Sequence, residues 1–270
     1  MGILSSFIAS QRYLSKAFDS LLPGHFRVDG HLTFRRAFAP PHIRTDMEVW
    51  DVGGGKVPLI DAAMKRIHRI HSVGLDISAE ELAAAEPGTY DETFVADITN
   101  FVGRGSADLI ICQAVLEHVR DTAAALRAFE TILKPGGLAI VFVPARNSWF
   151  ARLNLLLPEK FKLRLLAIFH REWDGAQGFP SYYNHCTGPD FTKLSRESGL
   201  DIVEEQFFHE SGYFCVAFPV HVLWRLWVIL GFKLNPARWA ETFCMALRKP
   251  PNVVPEWTTS HKKTDEAILA

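Results

Sequence analysis

Polar residues recur at the carboxyl ends of apolar runs in the first half of the chain. Asp51 follows Val49-Trp50, Asp76 follows Gly74-Leu75, Asp97 follows Val95-Ala96, and Gln113 follows Leu109-Ile110-Ile111-Cys112. A carboxylate accepts two hydroxyl hydrogen bonds at once, which suits the paired hydroxyls of a ribose. Asp51 leads within two residues into Gly53-Gly54-Gly55. Glycines there let the backbone turn sharply and approach a ligand, because no Cβ stands in the way. A helix after such a loop aims unpaired N–H groups and a positive dipole end at the same place. Asp76 lies 21 positions beyond Gly55, the separation at which a carboxylate meets a ribose in nucleotide-binding βαβ units. Any one of these aspartates reads more simply as a helix cap or a solvated strand end. Four polar ends in order read as a nucleotide cradle. The glycine spacing does not match G-x-G-x-x-G, so the loop alone leaves the nucleotide open.

The elements that position these ends alternate. Strands are expected at Met47–Val52, His71–Leu75, Thr93–Ala96, Ala107–Cys112 and Leu138–Val143. Helical patterns at Val57–Arg69, Ala79–Ala85 and Asp121–Leu133 separate them, with stops at Pro87-Gly88 and Lys134-Pro135-Gly136-Gly137. Such alternation gives right-handed βαβ units and a doubly wound parallel α/β sheet, with ligands off the carboxyl ends of its strands. Residues 3–22 carry apolar positions at helical spacing, closed by Pro23-Gly24. A polar, basic connector then leads to the first strand, so 1–45 reads as a helical, basic extension.

The 270 residues are 48% hydrophobic and 22% charged, with a formal net charge of −1. That balance argues against a general nucleic-acid binder. Four cysteines without a C-x-x-C pair fit reduced thiols and a cytoplasmic location. No histidine pair has ligand spacing near the acidic residues, so the sequence gives no support for a metal.

Residues 47–145 resemble the class I S-adenosylmethionine-dependent methyltransferases. VWDVGGGK, GLDIS, FVADITN, ADLIICQAVLEHV and the LKPGG turn stand in that family's order and spacing. The resemblance implies S-adenosylmethionine as cofactor and a Rossmann-like seven-stranded sheet whose last strand is antiparallel. It assigns Gly53, Gly54 and Gly55 to the border of the methionine moiety, and Asp51 to the loop and the methionine amine. Asp76 would bind both ribose hydroxyls with Ile77 against the adenine. Asp97 and Ile98 would meet the adenine, and Gln113 and Ala114 the transferable methyl. Val57 stands where the family usually has a third glycine.

The methyltransferase domain is then expected over 46–250, with Asp201–Phe208 and Glu241–Leu247 as the last two strands and a flexible tail at 251–270. Insertions are left at 145–188, after strand five, and at 211–238, between strands six and seven. Stretches 149–170 and 218–232 are apolar with basic flanks. They read either as a lid or homo-oligomer interface, or as a platform at a membrane surface, with Trp224, Trp227 and Trp239 beside Arg225, Lys233 and Arg238 as an interfacial belt. Methyl transfer to a hydroxyl needs a base, most often histidine. The candidates are His185, His170 and His118. The segment from Tyr182 through Phe191 resembles, more loosely, bacterial methyltransferases that modify polysaccharides or their lipid-linked precursors. It implies a sugar hydroxyl of a glycan or lipid-linked saccharide as acceptor. A small-molecule O- or N-methyltransferase of secondary metabolism, or a catalytically silent binding subunit, are the alternatives.

Overall fold

The computed structural model describes residues 3–157 and 180–251. One sheet holds β1 (Glu48–Val52), β2 (His71–Asp76), β3 (Glu92–Val95), β4 (Ala107–Gln113), β5 (Leu133–Pro144), β6 (Asp201–Phe208) and β7 (Thr242–Arg248). Their order is β3-β2-β1-β4-β5-β7-β6. β1 to β5 run parallel, and β7 pairs antiparallel with both β5 and β6. The expected seven-stranded Rossmann-like sheet is therefore present, with its last strand antiparallel.

β4, apolar from Leu109 to Cys112, lies at the centre, with both its faces covered. Ile110 and Cys112 join one core with Trp50, Phe129 and Phe243. Leu109 and Ile111 join the other with Phe34, Phe38 and Phe142. Removing one such buried ring costs about 3–5 kcal/mol.

The helices are α1 (Ile3–Ser20), α2 (Gly30–Thr33), α3 (Ala62–His68), α4 (Ala79–Ala83), α5 (Thr122–Ile132), α6 (Trp149–Leu156), α7 (Gly188–Glu197) and α8 (Phe218–Leu234). One helix, one strand and one connector differ from the spacing's expectation. The helix after the glycine loop begins at Ala62, not at Val57, because Asp61 caps it by accepting from Met64 N at 2.7 Å. Lys56 to Leu59 stay in the loop, and Val57 is exposed, so its side chain crowds no helix junction. The strand expected from Leu138 is continuous from Leu133, where Ala107 already pairs across the ladder. The connector before β1 is a run of short helical turns that bury Phe26, Phe34 and Phe38.

α8 carries the second insertion. His221, Trp224, Arg225, Val228 and Gly231 face inward, while Leu223, Leu226, Leu230 and Leu234 face outward. Arg225 is fully buried and donates from Nε to Asp19 Oδ1 at 2.6 Å and from Nη1 to the carbonyls of Phe26 and His209, each at 3.0 Å. Trp224 is equally buried and donates to Glu241 Oε1 at 3.0 Å. This overturns the reading of Trp224 and Arg225 as parts of an interfacial belt: both side chains are buried inside the protein. Among the described residues, no helix is long and apolar enough to cross a membrane. The second half of the 149–170 stretch, with His170, lies outside the described residues, as does the tail beyond residue 251.

Candidate active site

The carboxyl ends of β1 to β5 meet along one edge of the sheet. At β1, the chain turns at Gly53 with φ +75, where an L side chain is strained. The Gly53 amide donates to Leu75 O at 2.7 Å, which folds the loop onto the end of β2. A Cβ on Gly53 would sit 2.1 Å from Val115 Cγ2, and one on Gly54 would sit 2.5 Å from the Tyr90 hydroxyl. Both glycines are needed for close approach, and the neighbours are this chain's own side chains.

Asp51 accepts from the Tyr90 hydroxyl at 3.0 Å. Burial pushes its carboxyl up to about 6, against the Tyr90 hydrogen bond and the nearby Arg35 guanidinium, which favour the charged form. It is thus mostly ionised at neutral pH. Arg35 donates from Nη1 to Gln113 Oε1 and from Nη2 to Pro58 O, each at 3.2 Å. A guanidinium and a carboxyl that ionises just below neutral pH therefore flank the glycine loop.

At the end of β2, Asp76 Oδ1 accepts from Ser78 N at 2.8 Å. Burial raises its carboxyl above the usual range; Glu81 adds to that and the Ser78 amide opposes it. Ile77 beside it is exposed. Asp97 uses Oδ1 for both the amide and the hydroxyl of Thr99, at 2.9 and 2.8 Å, which caps the turn that buries Ile98. That is the ordinary capping role, carried by one of its two oxygens. After β4, Ala114 adopts φ +55. Non-glycine residues held there cluster at functional sites.

His118 Nδ1 lies 3.1 Å from Pro180 O and 3.3 Å from Ser181 Oγ, a junction that ties the 180–186 segment to the β4 turn. Glu117 beside it is buried, and burial pushes its carboxyl up to about 8. It is therefore neutral at pH 7, and its 3.7 Å separation from His118 Nε2 is not an ion pair. The Glu117 carbonyl accepts from the amides of Tyr182 and Tyr183. His185 is exposed in a turn at φ +54.

The sequence reading missed His31, Arg35 and Tyr90 as site residues. His31 Nε2 lies 2.9 Å from Gln113 Nε2. Arg35 belonged to the basic bias of the extension, but no spacing singled it out. Tyr90 follows a Pro-Gly turn and carries no local signal.

A family model described as a methyltransferase domain matches residues 27–205. Ubiquinone biosynthesis O-methyltransferase of Cupriavidus pinatubonensis is 29% identical over 160 residues, which is 56% of this chain and 53% of that protein. The protein of the same name in Ralstonia nicotianae is 35% identical over 157 residues, 55% of each. The chain thus spans about half the length of the curated relatives it matches. An S-adenosylmethionine-dependent methyltransferase structure from Mesorhizobium loti superposes with a TM-score of 0.51 at 17% identity, over 83% of this chain and 99% of that one. Its likeness is one of fold. On the family match, which takes in the glycine loop and every strand end of the site, the chain belongs to the methyltransferase domain family.

Proposed function

We propose that this protein is an S-adenosylmethionine-dependent methyltransferase acting on a hydroxyl of a lipid-carried acceptor. The observation that carries the cofactor reading is the placement of Asp51 at the start of the glycine loop and of Arg35 on the Pro58 carbonyl at its far end. The methionine end of the cofactor is an amino acid, with one ammonium and one carboxylate. An aspartate and a guanidinium at the two ends of one loop match both charges. Asp76 at the end of the next strand would supply an acceptor for ribose hydroxyls, exposed Ile77 an apolar surface for adenine, and Asp97 the far wall, while Ile98 is buried in the core behind it. Gln113 and Ala114, at the end of β4, would stand beside the methyl. The residues present fit the group.

When bound, S-adenosylmethionine supplies an electrophilic methyl on a sulfonium. The chain's residues align the acceptor and take its proton. The hydroxyl acceptor is supported by the O-methyltransferase names of the relatives. The lipid portion is supported by the outward leucines of α8, four exposed apolar side chains on one helix. Lys233 and exposed Arg238 flank its end, as suits a protein resting on an anionic membrane from its cytoplasmic side. A saccharide head group, expected from the sequence, and an aromatic one, in keeping with the relatives' names, differ only at the hydroxyl end.

The test is transfer of labelled methyl from S-adenosylmethionine to a prenylated phenol and to a prenyl-linked saccharide, each compared with its tail-free analogue. Transfer to a tailed acceptor supports the reading and identifies the head group. Cofactor binding with no transfer to either removes the acceptor class. Absence of cofactor binding at millimolar concentration would leave a silent binding subunit. In liposome flotation the protein should rise with anionic vesicles; dimerisation in sedimentation without flotation would assign the leucines to a second copy.

A further inference from the structure

His31 stands on α2, a one-turn helix that Asp29 caps by accepting from Leu32 N at 2.9 Å. Its ring meets Phe142 of β5 edge-on, with centroids 5.7 Å apart. Its Nε2 lies 2.9 Å from Nε2 of Gln113, the last residue of β4. The register of the sheet pairs Gln113 with Phe142, so one histidine bridges the carboxyl ends of the two central strands.

The network fixes the orientation of the imidazole. Arg35 has donors only, so its 3.2 Å contact marks Gln113 Oε1 as the acceptor end of the amide. The opposite end is then the NH₂ group, which donates to His31. His31 Nε2 must hold a lone pair, with the ring proton on Nδ1.

We propose that His31 takes the proton from the acceptor hydroxyl during methyl transfer, held for that task by Gln113 and Arg35. This rests on the hydroxyl-acceptor reading above. The acceptor's O–H bond breaks, its electron pair becomes the new O–C bond to the methyl, and the old methyl–sulfur pair stays on sulfur. The proton moves to His31 Nε2, where the hydroxyl replaces the Gln113 amide as donor, and then passes to water. Charge within the site is conserved, because the cation on sulfur disappears as the imidazolium forms. A strongly basic site is therefore unnecessary.

The charged neighbours of His31 are Arg35 and Asp29; Gln113 from β4 and Phe142 from β5 carry no charge. Burial and then Arg35 push the imidazole below its ordinary value, with Asp29 opposing. His31 is neutral at pH 7 and ready to accept. His31 and His185 are both exposed, but His185 stands in a turn at φ +54, and His118 faces the Pro180 carbonyl and Ser181.

The test compares the wild-type chain with His31→Gln, which keeps a polar side chain but accepts no proton. The probes are S-adenosylhomocysteine for binding and a prenylated phenol for turnover. His31→Gln should bind S-adenosylhomocysteine as the wild type does and melt at the same temperature. Its kcat should fall by about 10²–10⁴-fold, the usual contribution of a general base. The acid limb of the wild-type kcat profile, with its midpoint below the ordinary histidine value, should vanish in the variant. An unchanged kcat or a retained acid limb would overturn the role of His31 and leave the O-methyltransferase reading standing. A wild-type protein that binds cofactor but methylates no hydroxyl probe would overturn both. Asp29→Asn serves as a second variant: it removes the charge opposing Arg35, so the acid limb should move to lower pH, and an unmoved limb counts against His31.

Discussion

The Tyr90 hydroxyl lies 3.0 Å from Asp51 Oδ2, so a side chain from the loop before β3 decides how readily the carboxylate at the end of β1 ionises. A hydrogen bond to a charged group contributes about 1.5–3 kcal/mol, and about 1.4 kcal/mol corresponds to one pH unit. Tyr90→Phe should therefore raise the Asp51 midpoint from about 6 by about one unit or more. Binding of S-adenosylmethionine that needs ionised Asp51 should then be lost at a higher pH than in the wild type. Calorimetric titration from pH 5 to 9 reads the shift, and superimposable pH curves would remove Asp51 from the methionine end.

Asp76→Ala should weaken cofactor binding by about 1–3 kcal/mol, the cost of leaving ribose hydroxyls without their acceptor. The same change frees the Ser78 amide, to which Asp76 now accepts at 2.8 Å, so a small loss of melting temperature accompanies it. An affinity equal to that of the wild type would refute the ribose assignment.

Glu117 gives the chain a pH-dependent stability of predictable sign. Its folded value, about 8, lies above the ordinary carboxyl value of 4.5. The folded state binds the extra proton, so this stability is fully present below the unfolded value and is lost as pH rises through the folded one. Glu117→Gln keeps the shape and cannot ionise. It should therefore melt higher than the wild type above pH 8 and lose that advantage near pH 5. Each kcal/mol should appear as about 2–4 °C. Scanning calorimetry at the two pH values checks the crossover.

Replacing Leu223, Leu226 and Leu230 together with Ser should abolish flotation with anionic vesicles while leaving cofactor affinity unchanged. All three side chains are exposed on α8, and surface changes of this kind usually stay within about 0.5 kcal/mol of stability each. Flotation that persists would place the membrane contact elsewhere.

The sheet was legible because its signals are local. An apolar run ending in Asp and then glycine marks a strand, a turn and a ligand edge within ten residues. The boundaries that moved did so for equally local reasons, such as Asp61 outcompeting Val57 as the start of a helix. His31 and Arg35 were invisible because their meaning depends on contact with Gln113, 82 and 78 positions away. The aromatic belt failed because spacing records that Trp224 and Arg225 alternate with leucines, not which side faces inward. Burial of Arg225 requires Asp19, which no helical pattern within 218–234 can supply.

That clamp also sets an order of assembly. Asp19 and Arg225 are 206 residues apart, and His221 completes the same cluster from α8. During synthesis, α1 emerges among the first segments but has no partner until α8 has left the ribosome. The strands β1 to β5 and the glycine loop all leave the ribosome before then. The buried clamp can therefore close only after the whole run from the glycine loop to β6 has been made, which ties the two ends of the chain together last.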